Sequence, residues 1–177
     1  MNRILRLLVF IGLLSAASCK RNVITYYTNG IMLSHYDNSG SYLREAGTSV
    51  KDSCYVLRIN YSSDRSIYYT VDNEHTYEPG NVPTSISIRA LEPFDATHPA
   101  GSLLNDYFIA GPGIESSTED VVYGFRNTRD YYPTHDPDDL WLMVPPASTG
   151  PFHFTVEMTF DNGITVRDTT SLIYFVP

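Results

Sequence analysis

The chain has 177 residues, 12 Lys and Arg against 20 Asp and Glu, and a formal net charge of −8. A length of this order suits one domain able to bury a real core. The acidic balance argues against nucleic acid, which calls for a basic stripe, and against broad electrostatic docking on an anionic bilayer.

The first 21 residues read as an address. Met1-Asn2-Arg3-Ile4-Leu5-Arg6 is a short basic head, Leu7 to Leu14 is apolar apart from Gly12, and Ser15-Ala16-Ala17-Ser18 leads into Cys19. These are the three parts of a secretory signal. The apolar stretch falls short of the ~20 residues that span a bilayer. Small residues ending at a cysteine resemble the lipobox of bacterial lipoproteins, with Ala16 where Leu is commonest. The resemblance implies cleavage before Cys19 and lipid on that cysteine. Two or more acyl chains anchor stably where one does not. Residues 1–18 are then a signal peptide, 19–21 the lipidated cysteine and a short tether, and 22–177 a single domain. Loss of Arg3 and Arg6 leaves ten Lys and Arg against twenty Asp and Glu, a net charge of −10. Lys20 and Arg21 follow the cysteine with no Asp behind it, which by the enterobacterial pattern sorts a lipoprotein to the outer membrane. With Cys19 on lipid, Cys54 has no partner for an internal disulfide and reads as a buried small hydrophobe.

From residue 22 onward the composition is that of strands: 14 Tyr, with Thr, Ser, Val and Ile plentiful. In chain order, Ile31 to Tyr36 is a first candidate. The turn Asp37-Asn38-Ser39-Gly40 follows it. Tyr55, Leu57, Ile59 and Tyr61 alternate with Val56, Arg58 and Asn60. Ile67 to Val71 is a further candidate, and Pro79-Gly80-Asn81 a turn. Ile86, Ile88 and Ala90 alternate with Ser85, Ser87 and Arg89. Tyr107 to Ala110 comes next, then the turn Gly111-Pro112-Gly113 and the candidate Val121 to Phe125. Leu140 to Val144 is a continuous apolar run ended by Pro145-Pro146, read as a buried strand with Trp141 in the core. The clearest alternation is Phe152 to Phe160, turned at Asp161-Asn162-Gly163. Ile164 to Val166 and Ser171 to Val176 complete the chain. Short strands at this spacing predict an all-β antiparallel sandwich of about seven strands.

The signal ending at cysteine, Tyr36-Asp37-Asn38-Ser39-Gly40, Tyr55-Val56-Leu57-Arg58-Ile59, His98-Pro99-Ala100-Gly101-Ser102-Leu103-Leu104-Asn105-Asp106 and the C-terminal hairpin together resemble the small uncharacterised lipoproteins of Bacteroidetes. The resemblance implies an immunoglobulin-like domain of unknown function on the outer membrane. It also implies an O-glycosylation signal at Asp168-Thr169-Thr170, with Thr169 as the modified residue. A solvated strand edge accounts for the same three residues.

No nucleophile elbow, H-E-x-x-H or P-loop occurs, and no cofactor is expected. Asp130, Asp136, Asp138 and Asp139 crowd one polar stretch and are candidate Ca²⁺ ligands. Two prolines and the lack of EF-hand spacing make a solvated acidic loop the plainer reading. Asp95 and His98 form a second loop pair, His35, His75 and His153 are scattered, and zinc would need three or four groups to converge. The pairs Tyr26-Tyr27, Tyr68-Tyr69 and Tyr131-Tyr132 put one ring of each on either face of a strand. Tyr68, Tyr69, Tyr131 and Tyr132 are therefore candidate ligand contacts for a glycan or an envelope protein. Three functions follow: a non-enzymatic binding or accessory domain, a structural subunit of an envelope complex, or a hydrolase with acids among Asp95, Asp130, Asp136, Asp138 and Asp139.

Overall fold

The computed structural model describes residues 22–67, 75–110 and 138–177. Those residues form β1 (Asn22–Asp37), β2 (Arg44–Glu45), β3 (Ser49–Lys51), β4 (Tyr55–Ile67), β5 (His75–Pro79), β6 (Pro83–Ala90), β7 (Phe108–Ala110), β8 (Asp138–Leu142), β9 (Phe154–Phe160), β10 (Thr165–Thr169) and β11 (Tyr174–Val176). Single 3-10 turns precede β4 and β7. Candidate strand Val121 to Phe125, the turn at Gly111 and residues 68–71 lie outside the described residues, as do Cys19 and the signal.

The fold is an all-β sandwich of mainly antiparallel sheets. The larger sheet runs β2-β1-β4-β8-β7, with β5 beside β1, and the smaller runs β10-β9-β6. The described residues hold eleven strands, against about seven expected, because edge pieces as short as Arg44–Glu45 pair in their own right. Two pairings, β1 with β5 and β3 with β11, are parallel.

Alternation decides which side chains meet between the sheets. Tyr55, Leu57 and Ile59 of β4 are buried, as are Ile86, Ile88 and Ala90 of β6 and Phe154, Val156, Met158 and Phe160 of β9. They join one cluster with Leu33, Leu140, Phe108 and Phe175. Phe154 is its centre: its ring lies 5.4 Å from Tyr55 across the sandwich, 5.8 Å from Phe108 and 6.3 Å from Phe175. The hairpin after β9 turns where expected, with Gly163 at φ 80°, a conformation that glycine takes without strain.

Sheet edges are closed by side chains. The amide of Asn81 accepts from Thr28 N–H at 2.8 Å and donates to Thr28 C=O at 2.9 Å. It stands in for a neighbouring strand where β1 bulges between Thr28 and Gly30. Asn105 does the same for β6, accepting from Ile88 N–H and donating to Ile86 C=O. Asp168 accepts from Leu33 N–H at 2.8 Å, tying β10 to β1. The Gly80 turn allows a close approach: a Cβ there would lie 2.5 Å from the Tyr27 ring.

Candidate functional site

The apolar run at β8 differs from expectation. β8 starts at Asp138, and Leu140 and Leu142 enter the core, while Met143 and Val144 are exposed. Trp141 is not a core residue. Its neighbours on either side point inward, so the two-residue period sends the indole to the outer face of the larger sheet.

There it completes a row. Tyr36 of β1 pairs with Val56 of β4, Val56 with Trp141 of β8, and Trp141 with Ile109 of β7. Val56 is fully buried yet apart from the core cluster. Its burial is on the outer face, at the middle of this row. The Trp141 Nε1–H is shielded from solvent and meets no acceptor among the described residues.

A second row, Ser34, Arg58 and Asp139, runs beside the first. Arg58 donates through Nε and Nη2 to the two oxygens of Asp139 at 2.7 and 2.8 Å. The guanidinium also lies 3.9 Å from the centroid of the Tyr36 ring. The Asp139 carboxylate holds the Arg58 pKa above its ordinary value. A third row brings Asn60 beside Met32, which is 62% exposed. The face thus offers two aromatic rings, a forked ion pair and an amide. Such a set binds by stacking and hydrogen bonding.

The candidate Ca²⁺ ligands are not brought together. Asp130 and Asp136 lie outside the described residues. Asp138 and Asp139 are strand neighbours and diverge: Asp139 faces out to Arg58, whereas Asp138 faces in and accepts from the Tyr61 hydroxyl at 2.5 Å. Burial pushes the Asp138 carboxyl up to about 6, against the Tyr61 hydrogen bond and with help from Asp139. Among the described residues no three His, Cys, Asp or Glu side chains form a metal-binding group. His35, His98 and His153 each have a separate partner, respectively Tyr55, Asp95 and Glu92. Asp95 closes its own loop. Partial burial raises its pKa, but bonds from Thr97, His98 and Tyr107 outweigh this and hold it well below the usual carboxylate range.

The ligand candidates Tyr68, Tyr69, Tyr131 and Tyr132 lie outside the described residues. In the pair Tyr26-Tyr27, Tyr27 is the exposed ring and Tyr26 is half-buried. Thr169 sits on β10, exposed, with its hydroxyl 2.9 Å from that of Thr155. Cys54 is half-buried beside Ser53. A groove against the C-terminal strand, lined by Asp52, Ser148 and Phe175 among others, holds about 180 Å³, less than the ~300–1,000 Å³ of small-molecule pockets. The outer face is therefore the better candidate. Sequence reasoning missed Tyr36, Arg58 and Trp141. The parity of Trp141 against Val56 was the signal, and it needs the register of β8 on β4.

No family model, curated protein or solved structure matches the chain. Among the described residues no helix is long and apolar enough to cross a membrane.

Proposed function

We propose that this protein is an outer-membrane lipoprotein, anchored through Cys19, whose immunoglobulin-like sandwich is a non-enzymatic binding or accessory domain. Its ligand is a glycan or an envelope protein, met by the outer face around Trp141. The observation that carries the reading is the row Tyr36, Val56, Trp141 and Ile109, with its two aromatic rings, on the face opposite the core, beside the Arg58–Asp139 fork. The indole nitrogen is shielded from solvent, so the contact is made through the half-exposed rings, which a sugar ring or an apolar side chain would cover. A strand-exchanging structural subunit is less well supported, because Asn81, Asn105 and Asp168 already occupy backbone groups at three strand edges.

The test is affinity electrophoresis of the purified protein through gels containing soluble neutral or acidic polysaccharides, together with crosslinking on intact cells. Wild type should be retarded by a polysaccharide or captured by one envelope protein. Trp141→Ala should weaken that contact at least tenfold, ~1.4 kcal/mol, with an unchanged melting temperature. Equal behaviour of wild type and variant would remove the face from the reading. Palmitate-analogue labelling that persists in Cys19→Ala would remove the anchor.

A further inference from the structure

Asp138 and Tyr61 are the one side-chain pair bridging β8 and β4 on the core side for which the described structure gives a hydrogen bond, and the binding face does not use them. β8 is five residues long, and its first two residues are both tied to β4 by side chains, one through each face of the sheet. On the outer face Asp139 takes the Arg58 fork. On the inner face Asp138 lies opposite Ile59 and takes the Tyr61 hydroxyl, which itself lies 4.0 Å from the Met158 sulfur. The surroundings of the Asp138 carboxyl are thus apolar from β4 and β9, apart from the phenol. Its neighbour Asp139 adds a like charge. Among the described residues no Lys, Arg or His forms an ion pair with Asp138.

We propose that the Asp138 carboxyl is a proton-operated latch that fastens the start of β8 to β4 when it is neutral and slackens when it ionises, the Tyr61 bond opposing that release. A neutral acid and a phenol satisfy one another inside a sandwich at little cost. Among the described residues a carboxylate there has one hydrogen bond and no cation, and its desolvation penalty is relieved by letting the strand end move toward water. The Tyr61 phenol does not share the titration. Burial, and after it the Asp138 charge, push its pKa well above the ordinary value, so it stays a donor. Arg58 faces the other side of the sheet and is already held by Asp139, so it is not available to neutralise Asp138 without breaking that fork. The carboxyl titrates at about 6 in the fold, against 3.8 ordinarily. Closure therefore binds the proton, and the latch is tight below that range and loose above it.

Hydrogen exchange tests this on the purified protein, with rates corrected for the intrinsic pH dependence. From pH 5 to pH 8, linkage between those two pKa values raises the opening constant of residues 138–142 about tenfold. Residues 154–160 of β9 should not change by that factor. Asp138→Asn should abolish the pH dependence in 138–142. Tyr61→Phe removes a bond that favours the charged carboxyl, so it should keep the dependence and move its midpoint to higher pH. Protection of 138–142 that is independent of pH in wild type, or a dependence that survives in Asp138→Asn, would overturn the latch. Should Asp138→Asn not fold, an unmoved midpoint in Tyr61→Phe overturns it equally.

Discussion

Single polar side chains do the work of missing strands in this sandwich, and their cost of removal depends on water. Asn81 is 4% exposed, and the Thr28 backbone it serves is also buried. Asn81→Ala leaves a buried N–H and a buried C=O without partners, for an expected loss of roughly 2–4 kcal/mol. Asn105 makes the equivalent pair of bonds to β6 but is only half-buried. Ile86 and Ile88 are as buried as Thr28, but truncating the half-buried Asn105 opens that edge from the solvent side, so the expected loss in Asn105→Ala is smaller, roughly 1–2 kcal/mol. Urea unfolding of the two variants measures both. Equal losses would mean that the Thr28 site admits water as readily as the β6 edge.

Elements differ in how far their sequences reveal them, and the reason is the number of faces that are apolar. β9 was legible because Phe154, Val156, Met158 and Phe160 are buried while Glu157 is exposed. β6 and the first half of β4 were legible for the same reason. β8 was not, since Leu140 to Val144 shows no alternation, and only pairing with β4 tells that Trp141 and Leu142 face opposite ways. The apolar pattern marks β1 only from Ile31, but the strand begins at Asn22. Its bulge breaks the two-residue period, and its partner beyond β4 changes from β5 to β2 along its length. The acids Asp138 and Asp139 read as loop residues by composition, yet they open a strand whose two faces separate them. The central element makes its own prediction. Phe154 is fully buried among the rings of Tyr55, Phe94, Phe108, Phe152 and Phe175. Phe154→Ala should cost about 3–5 kcal/mol, read as a fall in the denaturation midpoint. Met143→Ser, one residue past β8 and 57% exposed, should stay within about 0.5 kcal/mol of wild type.

At the scale of the whole molecule, one buried group and one half-buried group among the described residues set opposing responses of stability to pH. His35 is 5% exposed, and its Nε2 lies 2.8 Å from the Ser171 carbonyl, which only accepts. Nε2 therefore carries the hydrogen, and Nδ1 accepts from the Tyr55 hydroxyl at 2.9 Å. Burial lowers the His35 pKa, against the Ser171 bond and with a smaller push from His153. The unfolded chain thus takes up this proton first. The stability owed to neutral His35 is complete above its unfolded value of 6.5 and is lost as pH falls toward the lower folded value. Asp138 runs the other way. Its folded value of about 6 lies above 3.8, so its contribution is complete below 3.8 and lost as pH rises through 6, up to roughly 3 kcal/mol. Asp37, held at about 2 chiefly by its bonds from Arg44 and Ser39, and Asp95 lose their contributions only below the ordinary carboxylate range. Between pH 4.5 and 7.5 the two groups are thus separable. Thermal melts across that window should show Asp138→Asn losing stability on acidification, because His35 still responds. His35→Gln should gain stability over the same interval, because Asp138 does. Wild type should lie between them in slope. Parallel slopes in all three proteins would mean that neither proton is linked to folding, and with that the account of both burial sites would fail.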